Sequence, residues 1–152
     1  MFKFHRILII GTILIVALSI SACTPTPEDY LSQGNDLFLQ SDFESAIEKY
    51  TEALNIDTDF TEAYVGRAQA YVERGNDDDA LDDLSLAIEL GSQDVQAYLA
   101  RGDIYLGQEE YDLVLEDYQS ALELSESEAL TYFNETNNFT NLAEGFTKRA
   151  EE

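Results

Sequence analysis

The sequence predicts an all-α fold: a solenoid of three helix hairpins followed by a C-terminal capping helix. Three observations carry this expectation. Tyrosines stand at Tyr30, Tyr64, Tyr98 and Tyr132, each 34 residues from the last, the mark of an internally repeated unit. Within each unit, apolar residues recur at i, i+3, i+4 and i+7 over two segments of about 14 residues. Hydrophobic residues make up 45% of the 152, with nine Tyr and eight Phe, which argues against disorder.

The chain opens with a segment of a different kind. Lys3 and Arg6 precede Ile7–Ile20, a run of 14 almost wholly apolar residues. A basic start, a short apolar core and small residues after it are the parts of a secretory signal, and the run is short for a membrane span, which needs about 20 residues. Ile20-Ser21-Ala22-Cys23 resembles the lipobox of bacterial lipoproteins: an aliphatic residue, two small residues, then the cysteine that becomes the first mature residue. The resemblance implies that residues 1–22 are removed and that Cys23 carries a diacylglycerol. Two acyl chains suffice for stable anchoring, at about 0.8 kcal/mol per buried methylene. Residues 23–27 then read as a short extended tether, because Pro25 and Pro27 fix φ and disfavour helix in the residue before each. The expected location is extracytoplasmic, on a bacterial membrane, with inner and outer left open.

The repeats follow at 28–60, 61–94 and 95–128. Ala53, Ala87 and Ala121 keep the 34-residue step; so do Gly34, Ala68 and Gly102, and Tyr50, Leu84 and Tyr118. Polar turns divide the units at Gln40-Ser41-Asp42, Gly75-Asn76-Asp77 and Gln108-Glu109-Glu110. Small residues let helices approach while the aromatics fill the next layer. This pattern resembles the tetratricopeptide repeat, most fully at Tyr64, Ala68, Tyr71, Ala80, Leu84 and Ala87. The usual terminal proline is absent, replaced by Thr58, Ser92 and Glu126, and Asp77 stands where the turn aromatic is expected.

Charge supports the register. Arg67 and Arg101 hold one repeat position, Asp83 and Asp117 another, and repeat one has Gln33 and Lys49 there, so both charges are lost together. Pairing of Arg67 with Asp83 and of Arg101 with Asp117 across each hairpin is expected. Residues 129–152 read as one terminal helix with Ala129, Tyr132, Phe133, Thr136, Phe139, Ala143, Phe146 and Ala150 on one face. Ser125 or Ser127 suits its N-cap, with Glu128 as a capping-box acid. Asn137, Asn138 and Gly145 weaken it, leaving open the first helix of a broken fourth repeat.

Composition limits the chemistry. The formal net charge is −23, and removal of the leader takes Lys3 and Arg6 with it, giving −25. Such a surface repels nucleic acid. The only histidine, His5, lies in the leader; one cysteine excludes an intramolecular disulfide, and no phosphate-binding glycine loop is present. No enzyme activity, cofactor or resident metal is expected. The acidic run Asp77-Asp78-Asp79 with Asp82-Asp83 lacks the glycine and distant glutamate of an EF-hand loop, so any divalent-cation binding would be weak.

The tetratricopeptide resemblance implies a partner-binding groove lined by the first helix of each repeat. Its positions carry over to Leu31, Asn35, Phe38, Val65, Gln69, Val72, Leu99, Asp103 and Leu106. Six of these nine are apolar, suiting a helix or extended peptide with apolar anchors, and the acidic chain suits basic flanks. Of the clamp by which some members hold a C-terminal carboxylate only Asn35 is kept; Leu31, Gly66, Gln96 and Ala100 occupy the other positions. The expected function is a membrane-anchored, non-catalytic scaffold for protein interaction in the cell envelope. Self-association into a structural envelope assembly and weak divalent-cation binding by the acidic surface are the alternatives.

Overall fold

The computed structural model describes residues 24–151. Eight α-helices and no strand occur among them: α1 (Pro27–Leu39), α2 (Phe43–Ile56), α3 (Thr61–Glu73), α4 (Asp77–Glu89), α5 (Val95–Gly107), α6 (Tyr111–Leu124), α7 (Glu126–Thr136) and α8 (Asn138–Glu151). None of these is long and apolar enough to cross a membrane. The leader and Cys23 lie outside the described residues.

Each predicted unit is a hairpin: α1 with α2, α3 with α4, α5 with α6. Successive hairpins join through α2–α3 and α4–α5, and first helices also touch along the stack, α1 with α3 and α3 with α5. First helices therefore line one face of a solenoid.

Local chemistry sets the boundaries. Thr26 caps α1 through a capping box, its hydroxyl accepting from the Asp29 amide at 3.3 Å and its own amide donating to Asp29 Oδ2 at 2.9 Å. Pro27 is the first helical residue, where its missing N–H does not matter. Thr26 and Pro27 thus belong to the helix start and not to the extended tether. The side chains of Asp42 and Asp94 cap α2 and α5 by accepting from the amides of Ser45 and Gln96.

Each hairpin turns through one left-handed residue at the same repeat position: Ser41 (φ 61°), Gly75 (φ 74°) and Glu109 (φ 61°). Only repeat two has the residue that adopts this conformation without strain. Ser41→Gly should raise stability by about 0.5–1 kcal/mol, measured by urea unfolding of the full chain.

The buried interior runs the length of the stack. Ala46, Ala53, Ala68, Ala80, Ala87, Ala97 and Ala121 have no exposed surface, as helix close approach requires. Tyr50, Leu84 and Tyr118 fill the space between them. Tyr50 and Tyr118 each press on a glycine: an added Cβ at Gly34 would lie 2.6 Å from Tyr50 Cε1, and one at Gly102 would lie 2.6 Å from Tyr118 Cε1. The same addition at Gly66, in the next repeat, would meet Tyr50 at 2.8 Å. In repeat two the smaller Leu84 coexists with Ala68 and Ala100. Ring and glycine are thus exchanged together for leucine and alanine.

The two anticipated ion pairs form. Arg67 donates to both carboxylate oxygens of Asp83 at 2.7 and 2.8 Å, and Arg101 to both of Asp117 at 2.9 and 2.7 Å. The third guanidinium nitrogen reaches back one repeat, to Thr51 Oγ1 from Arg67 and to Ser85 Oγ from Arg101. In repeat one, Lys49 pairs instead with Glu52 at 2.7 Å. Burial pushes the Asp117 carboxyl upward, opposed by Arg101; the always-protonated guanidinium and the bidentate contact keep the pair ionised.

The C-terminal segment differs from the single helix expected over residues 129–152. Helix begins already at Glu126, and Asn137 (φ 57°) turns the chain left-handed, so α7 and α8 are separate helices. Asparagine tolerates this conformation better than other non-glycine residues, which ends α7 ahead of the point where the 34-residue step would place a hairpin turn. α7 packs on α6 and α5, the place of a first helix in a further repeat, while α8 returns to α6. Ser125 occupies the N-cap of α7, but its side chain makes no capping bond. Glu128 accepts from Gln96 Nε2 at 3.1 Å across the stack instead of closing a capping box.

Candidate functional site

The groove positions carried over from the sequence fall into three columns, and the structure separates them. Leu31, Val65 and Leu99 form one column. Val65 and Leu99 are buried in the core, 4% and 0% exposed, and Leu31 packs half-buried against it. Val65 and Leu99 are therefore not groove-lining. An inner first helix is enclosed by its hairpin partner, the preceding second helix and the first helices on either side, so only a narrow strip of it stays open. Leu31 keeps some exposure because, among the described residues, no helix packs on α1 from the N-terminal side.

The second and third columns, Asn35–Gln69–Asp103 and Phe38–Val72–Leu106, lie on that strip. Phe38, Gln69, Val72 and Asp103 line one concave cavity of about 460 Å³ across α1, α3 and α5. Ala100 and Ile104 add apolar surface, and Gln96 adds an amide. Phe38 is braced edge-on by Phe43, with ring centroids 5.3 Å apart. Glu73 and Asp77, from the end of α3 and the start of α4, supply carboxylates, and Tyr132 of α7 closes the far wall. Leu106 is separated from this cavity; it lines a second recess with Asn138 and Asn141 of α8.

Asp103 divides the two recesses, since it lines both. Its Oδ1 accepts from the Tyr118 hydroxyl at 2.6 Å and from Asn138 Nδ2 at 2.7 Å, and its Oδ2 accepts from the Tyr132 hydroxyl. In repeat one the matching position is simpler: Tyr50 donates to Asn35 Oδ1 at 2.8 Å, and no C-terminal group takes part. Side chains of the C-terminal helices α7 and α8 thus end the groove at repeat three. Glu73, Ile104 and Tyr132 were not singled out as groove residues from the sequence. Tyr132 belongs to a column whose earlier member Tyr64 bonds a local carbonyl, that of Thr58 at 3.2 Å, and nothing in the spacing reveals its reach to Asp103.

The acidic run does not assemble a metal centre. Among the described residues no group of three or more His, Cys, Asp and Glu side chains converges to hold an ion. Asp79 accepts from Asn76, and Asp83 is committed to Arg67.

Burial disfavours ionisation of three phenols around this framework. Tyr50 is pushed up to about 12 by burial. Tyr118 and Tyr132 are raised too, by burial first and then by the carboxylate of Asp103. A folded-state value above the unfolded value of 10.0 gives stability that is complete below pH 10 and is lost as pH rises through the folded value. The urea midpoint should therefore fall between pH 10 and about 12. Tyrosinate absorbance should show these phenols titrating only with unfolding, and Tyr132→Phe should make the decline shallower.

Comparison with known proteins agrees with this geometry. Residues 34–73 match a family model described as TPR repeat, and residues 65–129 match one described as tetratricopeptide repeat. No curated protein matches the chain. Among solved structures, the first TPR domain of human RPAP3 superposes with a TM-score of 0.70 at 25% identity, covering 80% of this chain and 96% of that one. The second TPR of Spaghetti (RPAP3), bound to the HSP90 peptide SRMEEVD, gives 0.63 at 25% identity over 66% and 93% of the two chains. YrrB, described as a TPR protein with an unusual peptide-binding site, gives 0.63 at 26% identity over 77% and 67%. The helices form a solenoid of tetratricopeptide repeats whose groove is closed at one end by the chain's own C-terminal helices.

Proposed function

We propose that this chain is a non-catalytic protein-interaction scaffold, held on the outer side of a bacterial membrane by lipid on Cys23, that binds a peptide or helix of a partner protein in its concave groove. The observation that carries the reading is the open cavity of about 460 Å³ on the first-helix strip, apolar at Phe38, Val72 and Ile104 and ringed by polar groups. A site that is concave, largely preformed and mixed in this way suits a peptide anchored by apolar side chains. Similar solved domains that hold peptides support it. The anchoring part rests on Ile20-Ser21-Ala22-Cys23 and the apolar run before it.

Intact mass of the protein taken from its native membrane tests the anchor. The expected species begins at Cys23 and carries added diacylglycerol mass; a retained leader or an unmodified Cys23 would overturn it. A photocrosslinking residue at Val72, on the open wall of the groove, tests the binding reading. It should trap a partner protein, whereas the same group at Leu39, outside the groove, should not.

A further inference from the structure

The groove carries a charge preference of its own, which rests on the groove being the binding site. Four cationic side chains are described, and each is already paired: Lys49 with Glu52, Arg67 with Asp83, Arg74 with Glu44 and Arg101 with Asp117. None of them lines the cavity. The cavity has three carboxylates. Asp103 is saturated by Tyr118, Tyr132 and Asn138, which leaves it little capacity for a ligand. Glu73 and Asp77 are exposed, and neither enters an ion pair among the described residues. Beside them stand the apolar walls of Phe38, Val72 and Ile104.

From this arrangement we infer that the groove selects a peptide segment in which a lysine or arginine sits next to a large apolar side chain. The cation meets Glu73 and Asp77; the apolar group enters between Phe38, Val72 and Ile104; and Tyr132, fixed on Asp103, limits the segment's advance past repeat three. An acidic peptide such as the SRMEEVD held by the Spaghetti domain would bring its own carboxylates against Glu73 and Asp77, with no Lys or Arg among the described residues lining the cavity to receive them. Like charges brought together on binding act against the wrong partner.

The test uses the full chain and two fluorescent peptides identical except that one carries arginine and the other glutamate beside a Leu-Phe pair, with affinity read by anisotropy. The arginine peptide should bind at least about tenfold tighter at low salt, with the difference shrinking as salt is added. The double variant Glu73→Gln/Asp77→Asn should weaken the arginine peptide about three- to tenfold, as two partly exposed ion pairs imply. Asp78 and Asp79 keep the first turn of α4 acidic, so the fold is retained. Val72→Gln, which removes an apolar wall without adding charge, should weaken both peptides alike.

Equal affinity for the two peptides, with Val72→Gln weakening both, would overturn the charge preference and leave the groove reading standing. Binding of the arginine peptide that Val72→Gln does not disturb would place the site elsewhere and overturn both. Failure of both peptides to bind would overturn the preference, and the crosslink at Val72 would then judge the groove independently.

Discussion

Arg101→Ala should lower stability by about 3–5 kcal/mol, because it leaves Asp117, 2% exposed, as a buried carboxylate without its cation. The loss reaches further than one pair. Arg101 also donates to Ser85 Oγ in the preceding repeat, so the substitution loosens the junction of α4 with α5 as well as the α5–α6 hairpin. Replacing both partners, Arg101→Met with Asp117→Leu, should be much milder, since no charge is then stranded and the volume stays filled. Urea unfolding of the two single variants and the double variant separates these cases. Equal destabilisation of the single and the double would show that packing, and not the stranded charge, sets the cost. Repeat one already lacks the pair, with Gln33 and Lys49 in its place, so the fold tolerates its joint absence.

Gly102→Ala should be the second severe change. Its Cβ would lie 2.6 Å from Cε1 of Tyr118, a ring 1% exposed and in contact with Phe133 at a centroid distance of 4.8 Å. The ring cannot swing away into solvent, so overpacking of about 2–3 kcal/mol is expected. Repeat two shows the compatible combination, Ala68 with Leu84. Adding Tyr118→Leu should therefore recover part of the loss. Tyr118→Leu alone also removes the hydrogen bond to Asp103, so the comparison has to be a full cycle. A favourable coupling of about 1 kcal/mol or more between the two substitutions is the expected result. Strict additivity would mean that helix α5 shifts to admit the methyl group without meeting the ring.

Both predictions come from features the sequence carries openly, and the reason is the same. In a stacked repeat every position returns to an equivalent environment after 34 residues, so a partner exchanged in one repeat is visible against the others. Arg67 with Asp83 and Arg101 with Asp117 appear or vanish together, and Gly34 with Tyr50 and Gly102 with Tyr118 trade against Ala68 with Leu84. The hairpin turns at Ser41, Gly75 and Glu109 are legible for the same reason.

The groove was legible only in part. Columns 35–69–103 and 38–72–106 do lie on the open strip, but Val65 and Leu99 face inward. Helical spacing places residues on a face of their own helix; it does not say how much of that face the neighbours cover. Glu73 and Asp77 escaped attention as groove residues because they come from a helix end and the next helix start, outside the first-helix positions.

The sequence by itself determined the repeat length, the helix pairs, the ion pairs across each hairpin and the matching of small residues to rings, because each depends on contacts repeated at fixed spacing. The proposed leader and lipid-bearing cysteine rest on local pattern alone, in residues outside those described. Only the tertiary structure decided what happens after Leu124. A single left-handed residue at Asn137 breaks the terminal segment, and long-range contacts bring Tyr132 and Asn138 onto Asp103. Those contacts span 29 and 35 residues and match no repeat period; the first depends on α7 stacking on α5 and α6, and the second on α8 finding apolar cover against Tyr111 of α6. No local spacing encodes that choice, and it is the choice that sets where the groove ends.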